Sequence, residues 1–215
     1  MQPATRVSVL LTTVLLAAAP LYAQQREPLP IFAIDLRGFY SGLGQDATTA
    51  ADLGVSPYDL PARGLGAVAG LNLYPLRGRT MALGLGVEWM LARGRAQQVD
   101  DTTGEPVGLP IEQRLRSLSP QVSLNFGHQE GWSYLTAGMG PLSFETFQGE
   151  LPPAEPAPQQ ATINVGGGAR WFATTHLAFT FDARFYLTRP EEASDLYPAR
   201  ERTRLFVLSA GLAFK

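Results

Sequence analysis

Leu177-Ala178-Phe179-Thr180-Phe181-Asp182-Ala183-Arg184-Phe185-Tyr186-Leu187-Thr188 repeats its polarity with a period of two. Leu177, Phe179, Phe181, Ala183, Phe185 and Leu187 share one side of an extended chain, and Ala178, Thr180, Asp182, Arg184, Tyr186 and Thr188 share the other. On a helix the two sets would mix around the circumference, so the segment reads as a strand with one apolar and one polar face. Asp182 and Arg184 lie within the polar set, and the fold must give both a place where charge is tolerated.

The same period recurs upstream. Met81, Leu83, Leu85, Val87, Trp89 and Leu91 alternate with Ala82, Gly84, Gly86, Glu88, Met90 and Ala92. Leu65, Ala67, Ala69, Leu71 and Leu73 stand opposite Gly64, Gly66, Val68, Gly70, Asn72 and Tyr74. Extending this reading predicts strands at residues 31–41, 64–75, 80–94, 113–127, 132–147, 161–173, 177–188 and 204–214. Short connections at 75–79, 127–131 and 173–176 alternate with long ones at 42–63, 95–112, 148–160 and 189–203. An even number of hairpin-linked strands with every short turn at one end predicts an all-β fold. The expected form is an eight-stranded antiparallel up-and-down transmembrane barrel in a bacterial outer membrane.

The 215-residue chain suits one domain preceded by an export signal. After Arg6 an apolar run from Val7 to Ala19 is broken by Pro20, and Leu21-Tyr22-Ala23 supplies a small residue for cleavage, so residues 1–23 are expected to be a signal peptide. Residues 24–30 form a short segment before the barrel domain at 31–215. Removing the signal takes away Arg6 and no acid, leaving 16 basic residues against 19 acidic. With no cysteine, a disulfide framework, cysteinyl metal sites and a lipid-modified N-terminal Cys are excluded. Past the signal no stretch approaches the ~20 apolar residues of a spanning helix, so any crossing of a bilayer must use strands.

Composition decides which face is wet. A solvent-facing surface would be dense in mixed charge, whereas the polar faces here are mostly Gly, Ser, Thr, Asn and Gln, and the chain has one lysine. An Arg or Lys facing lipid at mid-depth costs roughly 2–4 kcal/mol, so Arg184 and Glu88 are expected to point into a narrow lumen with Asp35, Arg37, Asn72, Gln121, Arg170 and Asp182. Counting up from the short turns places Glu88 and Arg184 at one height on opposed strands and predicts that they touch, with Asp182 and Arg37 competing. Gly166 and Gly168 then stand opposite Arg184 and Asp182 and leave space for the guanidinium. Two aromatic girdles are expected: Phe32, Tyr74, Phe126, Trp132, Trp171 and Phe214 near the short turns, and Tyr40, Trp89, Phe144, Phe185 and Phe206 toward the loops. Pro120, opposite about Met139, and Pro141, opposite about Leu118, fall within a couple of residues of each other across one hairpin, where each deletes a ladder donor and predicts a bulge or bent seam.

At the end of the chain, Ser209-Ala210-Gly211-Leu212-Ala213-Phe214 is similar to the polar, any, glycine, hydrophobic, any, aromatic ending of outer-membrane barrels. With the strand plan, it makes residues 30–215 resemble the small eight-stranded OmpA-like and OmpX-like transmembrane domains. The resemblance implies a periplasmic N-terminus, short periplasmic turns and long extracellular loops. It further implies recognition of Ser209, Gly211, Leu212 and Phe214 by the barrel assembly machinery. Lys215 follows the aromatic, where the commonest ending stops on it. No peptidoglycan-binding domain is expected after the barrel.

Chemistry-bearing residues are sparse. His128 and His176 lie on short turns and the single lysine is Lys215, so a His-based or Ser-Lys catalytic set is missing from the loop end. Asp100 and Asp101 are adjacent loop acids, read as solvated charge. No catalytic, cofactor or metal site is expected, and no Walker-type, EF-hand or nucleic-acid motif appears. Arg63, Arg93, Arg95, Arg114, Arg116, Arg189 and Arg204 flank the long gaps. A ring of guanidiniums at that height suits lipopolysaccharide phosphates, and pairing with the acidic loops accounts for the same arginines. Leu151-Pro152-Pro153-Ala154-Glu155-Pro156-Ala157-Pro158 reads as stiff and extended, and residues 42–63 as a segment that folds over the mouth.

The expectation is therefore a monomeric, non-enzymatic outer-membrane barrel whose polar lumen is plugged. The expected role is structural, among outer-membrane lipids including lipopolysaccharide, with acidic loops displayed to a surface ligand that no residue names. The alternatives are a small passive channel and a soluble periplasmic lipid-binding barrel with its apolar faces turned inward.

Overall fold

The computed structural model describes residues 28–44, 46–100, 102–149, 159–190 and 202–215. Eight strands follow in chain order: β1 (Phe32–Gly42), β2 (Arg63–Arg77), β3 (Met81–Val99), β4 (Pro106–His128), β5 (Gly131–Gln148), β6 (Gln159–Phe172), β7 (Leu177–Thr188) and β8 (Arg204–Phe214). Each pairs antiparallel with its neighbours, and β8 returns to β1 from Ile34 opposite Phe214 to Ser41 opposite Val207, which closes the barrel. Closure leaves no unpaired edge, the condition for strands in hydrocarbon. The expected signal peptide at residues 1–23 and the proline-rich run at 151–158 lie outside the described residues.

Alternation appears directly as exposure. Leu36, Leu65, Trp89, Phe179 and Phe185 project outward and stay largely exposed, while Asp35, Arg37, Glu88, Asp182 and Arg184 are buried inside. The apolar faces point out, so the inward-facing arrangement of a soluble lipid-binding barrel is not the one adopted. The two expected girdles are incomplete. Phe32, Phe126, Trp171 and Phe214 are exposed near the short turns, and Tyr40, Trp89, Phe185 and Phe206 toward the loops. Tyr74 and Trp132 instead pack inside with Phe172, and Phe144 packs on the interior apolar cluster. All three occupy inward positions of their strands, so parity rather than height sets their direction.

The second long gap is mostly strand. β3 and β4 continue past residues 94 and 113, with Arg95 opposite Glu112 and Gln98 opposite Val107 around a register shift, so the connection shrinks to residues 100–105. Asp100 Oδ1 accepts from the amides of Thr102 and Thr103 at 2.8 Å, and Gly104 takes φ +71 to complete the turn. Glu112, at the end of the connection expected over 95–112, is therefore a strand residue. The first gap contains a short helix, α1 (Ala47–Asp52), N-capped by Asp46, and a single 3₁₀ turn at Pro57–Asp59 with a Ser56/Asp59 capping box. Ala50, Leu60 and Ile111 form a small core with Leu53 and Val55, which docks this gap onto extended β4.

No bulge forms at the two prolines of this hairpin. The β4–β5 register is the same at Ser117 opposite Leu142 and Gln121 opposite Gly138, and the ladder simply lapses between them. A register shift occurs instead in β2 between Leu73 and Leu76, where Pro75 cannot donate.

Candidate functional site: the charged barrel interior

Three tiers fill the interior. At the short-turn end Leu29, Ala33, Tyr74, Ala82, Trp132 and Tyr134 pack together, and Leu29 is fully buried there. Arg77 Nη1 donates to the Leu29 carbonyl at 3.3 Å and the Tyr74 amide to Ile31 O at 2.8 Å, so the chain entering β1 is tied beneath the barrel. Trp132 stacks on Phe172 with centroids 5.1 Å apart and meets Tyr74 edge-on at 6.0 Å.

Above this layer lies the charge. Arg170 on β6 reaches Asp35 on β1 through two bonds, Nε–Oδ1 at 2.8 Å and Nη2–Oδ2 at 2.5 Å. Asn72 Nδ2 donates to Asp35 Oδ2 at 2.9 Å, and the Arg170 guanidinium lies 4.3 Å over the Tyr134 ring. One step higher, Arg37 binds Glu88 and contacts Asp182 Oδ1 at 3.0 Å. Arg184 contacts Glu88 at 3.1 Å and Asp182 at 2.8 Å, and donates to Gln121 Oε1 at 2.5 Å. The hydroxyls of Tyr134 and Tyr186 donate to Asp182 at 2.8 Å and Glu88 at 3.0 Å. Arg37, Arg170 and Arg184 thus face Asp35, Glu88 and Asp182 in equal number, all buried. Such a layer tolerates low dielectric because the charges are paired and hydrogen-bonded together.

The third tier is apolar. Phe39, Val68, Met90, Leu115, Leu142 and Val207 form a buried cluster above the charges, with Ala92, Tyr186 and Leu205. A lumen expected to be a polar plug therefore has buried apolar clusters above and below its ionic layer, with neutral polar residues such as Ser41 and Ser117 toward the loops and Asn125 toward the short turns among them. Met90 and Val68 already stood among the inward-facing residues, and the signal was in their sequence position.

The expected Glu88–Arg184 contact is present, but Asp182 and Arg37 join it rather than compete with it. Gly166 pairs with Arg184 and Gly168 with Asp182. A Cβ on Gly166 would lie 2.6 Å from Arg184 Cγ, and one on Gly168 2.6 Å from the Tyr134 hydroxyl, so only glycine leaves room for both side chains. Tyr134, Tyr186 and Ser209 were missed as network members. Neutral side chains on a polar face carry no charge signal that singles them out.

At the loop end the seven arginines do not form a ring. Arg63 on β2, Arg93 and Arg95 on β3, and Arg114 and Arg116 on β4 occupy adjacent strands, whereas Arg189 follows β7 and Arg204 opens β8. Arg93 binds Glu112, Arg114 lies 3.5 Å from it, and Arg114 also covers the Phe147 ring at 4.9 Å. This carboxyl stands above the apolar belt, and its hydrogen bond from Arg93 holds it below the usual glutamate range. His128 closes β4, His176 lies in the turn before β7, and Lys215 Nζ donates to Gln129 O at 2.6 Å. All three are at the short-turn end. Among the described residues no acid, His or Cys cluster suits a metal.

The sequence matches no protein-family model and no curated protein. Among solved structures, Neisserial surface protein A is similar over 86% of this chain and 96% of its own, with 14% identity and a TM-score of 0.54. Ail, the attachment invasion locus protein of Yersinia pestis, is similar over 85% of this chain and 96% of its own, at 13% identity and a TM-score of 0.42. The outer membrane protease OmpT of Escherichia coli is similar over 72% of this chain and 64% of its own, at 11% identity and a TM-score of 0.42. The first likeness establishes the fold as that of a small outer-membrane β-barrel.

Proposed function

We propose that this chain, an eight-stranded β-barrel of the outer-membrane type, is a non-enzymatic structural protein of the bacterial outer membrane. Its lumen is closed to solutes, and its loops are its exposed working surface. The observation that carries this reading is the interior order of an apolar tier, a paired ionic tier and a second apolar tier. An ion entering from the loop end would have to shed water against Phe39, Met90 and Leu115 before meeting any charge. Eight-stranded barrels are filled by their own side chains in this way.

Lack of enzymatic activity is supported by position. The two histidines and the one lysine lie at the short-turn end, away from the loops where an outer-leaflet or external substrate would meet the protein. Ser209, Gly211, Leu212 and Phe214 are proposed to serve the assembly machinery. Gly211 has a structural duty as well, because a Cβ there would lie 2.6 Å from Arg37 Cα. The acids Asp46, Asp52, Asp59, Asp100 and Glu105 belong to the described loops, and other acids of the long gaps lie outside the described residues.

The test is planar-bilayer conductance of the detergent-extracted protein, with heat-modifiable gel mobility as the check of folding. A mobility shift without steady current is expected. Reproducible unit currents from the shifted species would replace this reading with that of a small channel.

A further inference from the structure

We propose that the outer face of β2, β3 and β4 at the loop end is a binding platform for the phosphates of a glycolipid in the outer leaflet. The inference rests on the membrane placement given above and adds a specific sector and ligand chemistry. Arg93 pairs with Arg114 and Leu91 with Arg116, while Arg95 pairs with Glu112. Leu65 pairs with Arg93, so Arg63, two residues further along β2, stands level with Arg95. Five guanidiniums therefore occupy three neighbouring strands. Only Glu112 and Glu145, the latter opposite Arg114, share that outer face among the described residues. The sector carries an excess of three positive charges on a chain whose net charge is −2.

Height argues for a lipid rather than a soluble anion. Trp89 pairs with Leu118 immediately below the Leu91–Arg116 pair, and Leu65, Trp89 and Leu118 are 71%, 54% and 49% exposed on the apolar belt. The arginines stand where that belt ends, which is the depth of lipid headgroups. The platform is also partly fixed. The Glu112 side chain is only 1% exposed and lies between Arg93 and Arg114, whose own side chains are 59% and 25% exposed. A buried carboxylate that holds one exposed and one partly buried guanidinium limits how these can turn, and a planar fork suits phosphate oxygens bidentately. Arg95, Arg116 and Arg63 are exposed beside them, and Arg63 lies 5.9 Å from the Tyr40 ring centroid. Arg189 follows β7 and Arg204 opens β8, outside this three-strand sector.

The experiment uses the full chain in phosphatidylcholine nanodiscs doped with bisphosphorylated lipid A, and counts the labelled lipid A retained. Three proteins are compared: the unaltered chain, R95Q/R114Q/R116Q, and R189Q/R204Q. The platform variant should weaken retention by about tenfold, the effect of losing one or two charge-assisted contacts, while R189Q/R204Q stays within about twofold. Lipid A stripped of phosphate should bind the unaltered chain no better than the platform variant does. Equal losses in both variants, or no loss in either, would overturn the proposal. Displacement by millimolar inorganic phosphate would overturn it in favour of a soluble-anion site. Heat-modifiable mobility confirms that each variant is folded, and conductance of the same preparations tests lumen closure separately, so either reading can fail alone.

Discussion

Single residues in the interior are held by several partners at once, and this sets what their loss should do. Glu88 accepts from Arg37 and Tyr186 and is ion-paired with Arg184, so Glu88→Ala leaves two buried guanidiniums short of a counter-charge. Leaving buried charge uncompensated costs about 3–5 kcal/mol, and Glu88→Ala should lower the temperature of the heat-modifiable mobility shift, with Glu88→Gln intermediate. An unchanged midpoint would mean that the network contributes little. Gly211→Val tests a different cause: crowding against Arg37 Cα should cost about 1–3 kcal/mol and lower the same midpoint even in protein refolded without assembly machinery. If refolded Gly211→Val is as stable as the unaltered chain, the glycine serves recognition alone. At the rim, Glu112 is held below its ordinary pKa by Arg93. It therefore contributes stability fully above the unfolded glutamate value, and that contribution fades as pH falls through the lowered folded value. The unaltered chain should exceed Glu112→Gln in resistance to unfolding at neutral pH, and the gap should close in acid. A constant gap across that titration would assign the difference to packing. The inward charges were legible because a charge on a strand with a lipid-facing side has only one place to go. Tyr134 and Tyr186 were not, since a tyrosine is equally at home inside or at a membrane interface.

Elements behaved differently from residues. Strand order, closure and the three short turns followed from alternation, because a period of two survives wherever one face is lipid and the other is not. The β3–β4 extension did not. Past Arg93 both sides of the hairpin meet water, so no apolar face enforces alternation, and the signal left is the turn chemistry of Asp100, Thr102, Thr103 and Gly104. At Pro120 and Pro141 the expected bulge is replaced by a gap in the ladder with unchanged register. Pro120 remains opposite Val87 on β3, and that intact side keeps the strand in line. Amides of Leu118 and Met139, which point across the lapse, should therefore exchange with deuterium faster than those of Leu124 and Leu135 in the same hairpin. Uniform protection along β4 and β5 would show that water does not reach the lapse.

For the molecule as a whole, the decisive feature is the order of tiers along the barrel axis. Paired charge in the middle keeps the interior electrically neutral, with Arg37, Arg170 and Arg184 against Asp35, Glu88 and Asp182. Apolar packing on either side keeps water from competing for those pairs, which strengthens each of them. The two kinds of tier therefore depend on each other, and closure should fail in steps. Phe39→Ser with Leu115→Ser would admit water from the loop end but leave Arg37 and Arg184 bridged to Glu88 and Asp182 across the bore. No steady current is expected from that variant in a planar bilayer. Adding Glu88→Ser and Arg184→Ser removes one charge of each sign and two of the side chains that bridge the middle layer, and intermittent small currents should then appear. Mobility on heating again reports whether each barrel is folded. Steady current from the first pair alone would place the entire barrier in the upper apolar tier, and the ionic layer would then be needed for stability rather than closure.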